Sequence, residues 1–385
     1  MGSLPGDLPK SPGAELVVYL ASRPGWRGLE EVRAVVPSLA RALEEVNRTR
    51  YRELLEARGQ ELRLLATSDV VEFWEAAFRD LDRVLSLYGE LAPGLESPLP
   101  EFSAWLARER GELLWGLWGT AVGRASRLAD LGREEEAAEL LDGLRERFPL
   151  EPRTALDLAD LYWRLHRPRE VARVLSSVLD RLDPDTARRA RLHLGRALLR
   201  SGEEERGVAL LAELAREEPR AELALAELEA LSGRAESALS RARRVAAWSR
   251  GRGEERLYHD ALLAEGEALT RLGRAREAAT GPLPRALGLE ERSGFSPLTL
   301  ALLAEAQALW GKGGARAREL AEKAYRLAAR GRDRYAASRA LFAWHLASGD
   351  PDKLEAARRQ AEHVGHEPWR RFLDRFALEQ GGDPV

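Results

Sequence analysis

The chain has 385 residues, 44% of them hydrophobic and 32% charged, with a formal net charge of −3. That excludes a disordered polyelectrolyte and leaves room for two or three domains or one long repeat array. Cysteine is absent, which removes disulfides, thiolate metal sites and a cysteine nucleophile together.

No apolar run approaches the length of a bilayer span. The N-terminal stretch MGSLPGDLPKSPG has no apolar h-region, so no signal peptide and a cytoplasmic, membrane-free location are expected. Because the overall charge is near balance, any nucleic-acid surface must be local.

Glu15 to Ser22 is apolar and stops at the breaker Arg23-Pro24-Gly25. Gly28 to Val36 reads as a short amphipathic helix. Pro37-Ser38 ends it, with Ser38 positioned to N-cap the next. That third helix, Leu39 to about Arg50, sets Leu39, Leu43 and Val46 on one face. In RELLEARGQELRLLA, the runs Glu53–Ala57 and Glu61–Ala66 flank Arg58-Gly59-Gln60, which fits a β-hairpin. Three short helices and a hairpin make the element order of a winged helix-turn-helix; a small helical cap on the helices downstream is the alternative.

From Asp69 onward the pattern is helical. Glu72 to Tyr88 reads as one amphipathic helix. Pro98 or Pro100 opens a long helix through Trp105, Leu113, Leu117 and Leu128 that closes at Leu131-Gly132. Helical hairpins then recur, with turn residues at Gly132, His166, Gly202, Gly233, Gly273 and Gly349. This is the period of tetratricopeptide-like (TPR-like) repeats. Ala125, Ala137 and Pro149 in the first unit, and Gly195, Gly207 and Pro219 in the third, follow a small-small-proline plan in which small residues let paired helices approach. Each unit leaves an apolar face that only a neighbour can bury. The expected fold class is therefore mostly α: an α-solenoid of TPR-like hairpins over residues 100–380, preceded by a small winged-helix-like N-terminal domain.

The stretch Leu87 to Leu113, LYGELAPGLESPLPEFSAWLARERGEL, is more particular than generic helix. With Leu87, Tyr88, Gly89, Gly94, Leu95, Trp105, Leu106, Glu109 and Arg110, it resembles the start of the bacterial transcriptional activator domain. That TPR-like domain follows the DNA-binding domain in Streptomyces antibiotic regulatory protein (SARP)-type regulators. The likeness continues through LADLGREEEAAELLDGLRERFPLEP and LADLYWRLHRPREVARVL. Upstream, LVVYLASRPGWRGLEEVRAVV is similar to the family's first two winged-helix helices.

The resemblance implies a reduced winged helix over residues 1–68, an activator domain over 69–182 and TPR-like repeats over 183–385. It implies a transcriptional regulator whose winged helix binds DNA and whose repeats serve homodimerisation, RNA polymerase or another protein partner. Leu39 to Arg50 would be the recognition helix and Glu53 to Ala66 the wing. The alternative is a non-catalytic TPR scaffold without DNA binding. Residues 1–66 hold ten Lys/Arg and nine Asp/Glu, a net of +1, whereas a DNA reader normally concentrates positive charge.

The candidate DNA contacts are Arg41, Asn47, Arg48 and Arg52 on or just after the third helix, with Arg58 and Arg63 on the hairpin. Asn can read adenine and Arg guanine or phosphate. The competing reading is a solvated helix face with i,i+4 pairs. The arginine clusters at 188, 189 and 191, and at 241, 243 and 244, read as solvated faces balanced by glutamates. The tryptophans read as packing residues. His363 and His366 lack a third metal ligand at suitable spacing. No nucleophile elbow, HExxH or phosphate loop is present; Gly311-Lys312-Gly313-Gly314 is a turn without that context. No enzyme activity, cofactor or metal is expected.

Overall fold

The first helix begins where the sequence offers a cap. The computed structural model describes residues 11–65, 68–89, 91, 92, 95, 97, 99–290, 294–311 and 314–381. Gly94, Pro98, Lys312, Gly313 and the segment 1–10 lie outside that set. Ser11 accepts a hydrogen bond from the Ala14 N–H, with Pro12 at the first helical position.

Helix α1 (Pro12–Ser22) is followed by strand β1 (Arg27–Gly28), α2 (Leu29–Val35), α3 (Leu39–Val46) and the hairpin β2 (Leu55–Arg58) and β3 (Glu61–Leu64). The sheet order is β1-β3-β2, antiparallel throughout. The hairpin closes at Gly59, whose φ of 59° is the left-handed conformation a tight turn needs. Strand β1 is only two residues long, too short to leave an alternating pattern; Arg27 pairs with Leu62. Leu16, Leu20, Val32, Leu39, Ala42, Val46 and Leu62 are buried together as this region's core.

Two local expectations are corrected. Ser38 does not cap α3: its backbone is not extended as a cap requires, and its side chain makes no capping bond. The helix also ends at Val46 rather than near Arg50, where the Thr49 hydroxyl donates to the Val46 carbonyl at 2.8 Å.

The run Glu72–Tyr88 is likewise two helices, α4 (Asp69–Ala76) and α5 (Leu81–Leu87). Phe78 breaks it at φ 64°, donating its N–H to the Thr120 hydroxyl at 2.7 Å and setting its ring 5.1 Å from Trp115. A bulky residue is strained there, so tertiary packing has overridden helical periodicity. Asp80 then caps α5.

Helix α6 (Pro100–Asp130) receives these rings on a glycine strip. A Cβ at Gly119 would lie 2.4 Å from a Phe78 ring carbon, and one at Gly116 would lie 2.9 Å from Phe73. In the 87–113 stretch, Arg110 of α6 donates to the carbonyls of Leu91 and Ala92 at 3.0 and 2.9 Å. Glu109 pairs with Arg23, and Trp105 meets Tyr19 at 5.3 Å. With α7 (Glu134–Arg147), α6 forms the first hairpin, in which Ala125 and Ala137 are fully buried.

The chain divides into two compact units, residues 1–161 and 162–385. Helix α8 (Ala155–Arg164) carries the division. The second unit is an α-solenoid. It consists of α9 (Pro168–Val178), α10 (Pro184–Ser201), α11 (Glu204–Leu214), α12 (Pro219–Leu231), α13 (Ala235–Arg252), α14 (Glu255–Arg271), α15 (Ala275–Thr280), α16 (Pro282–Leu289), α17 (Pro297–Trp310), α18 (Gly314–Gly331), α19 (Arg334–Ser348), α20 (Pro351–Val364) and α21 (Glu367–Gly381).

The turn residues predicted from the repeat, His166 included, all lie in the left-handed region. Gly195 shows why the repeat wants small residues: a Cβ there would lie 2.6 Å from Leu211 of the next helix. Successive helices pack in order, and α21 returns to pack against α10 and α12. Its Arg371 pairs with Glu204 at 2.8 Å, and its Arg375 donates to the Leu231 carbonyl at 2.5 Å.

Candidate functional site

Two surfaces concentrate chemistry, one in each unit. In the first, the candidate DNA contacts divide into two sets. Arg41 is paired with Glu45 at 3.0 Å on the exposed side of α3. Arg63 is paired with Glu56 and lies 4.4 Å over the Trp26 ring, so it packs the hairpin against the loop before β1. Asn47, Arg48, Arg52 and Arg58 are exposed. Among the described residues, no carboxylate pairs with Arg48, Arg52 or Arg58. Glu44, Glu53 and Glu61 are exposed on the same helix and hairpin. Residues 39–65 hold six arginines and five glutamates, a net of +1.

In the second unit, α14, α17 and α19 contribute to a polar network within the stack. Arg339 of α19 is 1% exposed and donates to Glu267 of α14 at 2.6 Å and to Glu305 of α17 at 3.1 Å. Arg271 of α14 also pairs with Glu305. Arg271 lies 4.1 Å over Phe372, and Arg339 lies 4.2 Å over Trp369. The arginines beside Glu305 hold its carboxylate below the usual range against the opposing effect of burial.

Tyr335 links this network to a second cluster. Its hydroxyl accepts from Arg339 at 3.3 Å and donates to Glu227 of α12 at 3.1 Å. The same Glu227 oxygen is 3.1 Å from His366 Nε2, and the His366 ring stacks on Tyr335 with centroids 4.7 Å apart. Burial lowers the His366 pKa and so favours the neutral ring; burial also raises that of Tyr335.

Arg200 of α10 lies 3.9 Å from Glu227. Arg200 and Arg196 both rest over the Trp163 ring, at 5.2 and 5.9 Å. Arg196, Arg200, Glu227 and His366 line a recess with about 270 Å³ of empty space, partly open solvent, floored by Leu199, Ala224, Leu228 and Pro368. The space deep between these side chains holds about one water.

These residues escaped the sequence reading, although a signal exists. Arg196 and Arg200 punctuate the apolar run LGRALLR, and Arg339 stands inside ASRALFAW. A charge on the apolar stripe of a helix must find a buried partner. The arginines read as solvated faces are mostly paired: Arg188 with Glu217, Arg241 with Glu222 and Glu229, Arg243 with Glu265, and Arg244 with Glu222. His363 contacts its own helix through the Arg359 carbonyl, while His366 serves Glu227. Among the described residues, no group of His, Asp or Glu could hold a metal, and no helix is long and apolar enough to cross a membrane.

No family model and no curated protein matches the chain. Among solved structures it is similar to a Signal Transduction ATPase with Numerous Domains (STAND) protein with a tetratricopeptide repeat sensor, from Pyrococcus horikoshii. That match has 15% identity and a TM-score of 0.36, and covers 97% of this chain and 60% of that one. The chain thus spans less than two thirds of that protein's length. It is also similar to a Rap protein complexed with competence and sporulation factor, at 15% identity, TM-score 0.38, and 96% and 98% coverage. A third likeness is to aspartyl phosphate phosphatase F from Bacillus subtilis, at 14% identity, TM-score 0.34, and 100% and 99% coverage.

Proposed function

We propose that this chain is a non-catalytic helical-repeat scaffold that holds a protein partner. The observation that carries this reading is the recess in the second unit. Repeat stacks bury alanine and leucine between neighbours, yet here Arg196, Arg200, Glu227 and His366 converge at an accessible opening. Charged and aromatic side chains gathered on a rigid helical framework suit recognition of a polypeptide.

The test is cross-linking of the full chain to the partner with which it co-purifies from its host. Cross-links are expected on α10, α12 and the start of α21, with loss of the partner on Arg200→Glu. Cross-links confined to residues 11–65 would overturn the reading.

A DNA-binding regulator of the SARP type is the second reading. It is supported by the helix–strand–helix–helix–hairpin order of residues 12–64 and by Arg48, Arg52 and Arg58, which have no carboxylate partner among the described residues. In that reading α3 enters the major groove, Asn47 and the arginines contact bases and phosphates, and the repeats serve homodimerisation or RNA polymerase contact. The net charge of +1 over residues 39–65 weighs against it, because phosphate neutralisation supplies most DNA affinity. A salt titration with genomic fragments separates the two. The scaffold reading expects no binding above background at low salt. The regulator reading expects binding that falls steeply with salt and is weakened by Arg48→Glu.

A further inference from the structure

Arg196 and Arg200 stand one helical turn apart on α10, so their like charges face each other. Both guanidiniums lie over the same indole ring. Their shared counter-charge is Glu227, and that carboxylate is already engaged: one oxygen takes the Tyr335 hydroxyl and His366 Nε2, each at 3.1 Å. Arg200 reaches the other oxygen only at 3.9 Å. Among the described residues, no carboxylate lies within ion-pair range of Arg196. Burial and the neighbouring Arg200 charge both push the Arg196 guanidinium downward from its ordinary value. Glu227 and, beyond ion-pair range, Asp260 are the negative charges that act on Arg196, so two guanidiniums share one nearby carboxylate whose first oxygen is taken by Tyr335 and His366.

A half-buried guanidinium without an anion costs free energy that a ligand oxyanion returns. The planar fork of arginine matches a carboxylate in particular. The Leu199, Leu228 and Pro368 side chains beneath the guanidiniums are buried, so the narrow interior suits a single small anionic group and nothing larger. We propose that Arg196 and Arg200 bind one carboxylate presented by a partner polypeptide. The proposal rests on the scaffold reading and names the chemistry of its partner.

The carboxylate has two sources, an acidic side chain or a chain terminus, and three probes separate them. Isothermal titration of the full chain at low salt would use N-acetylated apolar hexapeptides: one with a free C-terminal carboxylate, its C-terminal amide, and an amide carrying one internal Glu. One of the two acidic peptides is expected to bind and the plain amide is not. Arg196→Gln is expected to weaken binding by about 10- to 100-fold, the range for losing a charged hydrogen bond. Arg196→Lys should fall between, because it keeps the charge and loses the fork. Arg188→Gln, remote from the recess, should leave binding unchanged.

Denaturant unfolding of Arg196→Gln checks that the stack is intact; a folded variant that binds as well as wild type overturns the proposal. So does equal binding of the amide, preference for inorganic phosphate over both acidic peptides, or no binding by either acidic peptide at millimolar concentration. If the peptides fail while a native partner still cross-links to α10 and α12, this site falls and the scaffold reading stands.

Discussion

The two units solve the same packing problem with different side chains. Around α6 the first unit packs large rings: Phe73 against Trp74 at 5.3 Å, Phe102 against Trp105 at 5.2 Å, and Phe78 against Trp115 at 5.1 Å. The middle of the second unit is built from small ones, with Ala226, Ala268, Ala301, Ala304, Ala324 and Ala340 in one buried cluster. Rings bury much area each and demand matching holes, which Gly116 and Gly119 supply. Alanines bury little each but bring backbones close, and they leave registration to other groups. In the second unit those groups are charges: Arg339, Glu267, Glu305 and Arg271 lie where three helices meet.

The largest expected effect breaks that charge registration. Arg339→Met leaves Glu267 and Glu305 buried with part of their compensation gone, and should destabilise the second unit by about 3–5 kcal/mol. Urea unfolding followed by domain-resolved hydrogen exchange should show the loss in residues 162–385 and leave α6 protected. A cost below about 1 kcal/mol would mean that the alanine packing alone sets the register.

A second charge contact in the same unit is pH-linked. Hydrogen bonds from His259 to Asp260 and to Glu290, the latter at 2.7 Å, raise its pKa from 6.5 to about 9. Glu290 is held low by His259, Thr299 and the Ser296 N–H, against burial. Because the folded pKa of His259 is raised, its contribution is complete below about pH 6.5 and is lost as pH rises through about 9. Because that of Glu290 is lowered, the pair also weakens in acid, below the ordinary glutamate value of 4.5. The contribution is roughly 2–3 kcal/mol. Wild type should lose that much stability between pH 6.5 and 9.5, beyond the loss seen in His259→Gln, and parallel curves would refute the linkage.

Close approach can be tested by the same substitution in both units. Gly119→Ala drives a methyl into the Phe78 ring, and Gly195→Ala drives one into Leu211. Each should cost about 1–3 kcal/mol by overpacking. Gly195→Ala should cost more, because Leu211 is fully buried with no room to move, whereas the Phe78 ring is 47% exposed and can swing toward solvent. Thermal unfolding of the two variants decides the order.

This contrast also explains what the sequence made legible. The solenoid could be read because its turns recur at left-handed positions and its small residues recur at helix contacts, so the local signal repeats. Gly195 and Gly207 were recognisable as a close-packed pair, and the glycine strip of α6 was not, since its partner Phe78 lies 41 residues away in an apparently unbroken helix. Strand β1 escaped because two residues carry no alternation. The recess was missed for a related reason: Arg196, Glu227 and His366 come from separate hairpins and meet only because α21 returns to α10 and α12. Reading the arginines by local runs drew attention to those at 241–244, which the fold pairs with nearby glutamates.

The smallest effects lie on the N-terminal surface, and they bear on its role. Arg63 packs on Trp26 and pairs with Glu56, so Arg63→Ala should lower stability by about 0.5–1 kcal/mol. Arg48 is exposed and makes neither contact, so Arg48→Ala should stay within about 0.5 kcal/mol of wild type. A cation retained for DNA is costless to remove in the free protein and costly in the complex. A cation retained for folding is the reverse. Measuring both variants by denaturant unfolding and by low-salt DNA titration therefore assigns each arginine separately. If Arg48→Ala changes neither quantity while Arg63→Ala changes only stability, the helix–hairpin surface is structural, and recognition belongs to the second unit.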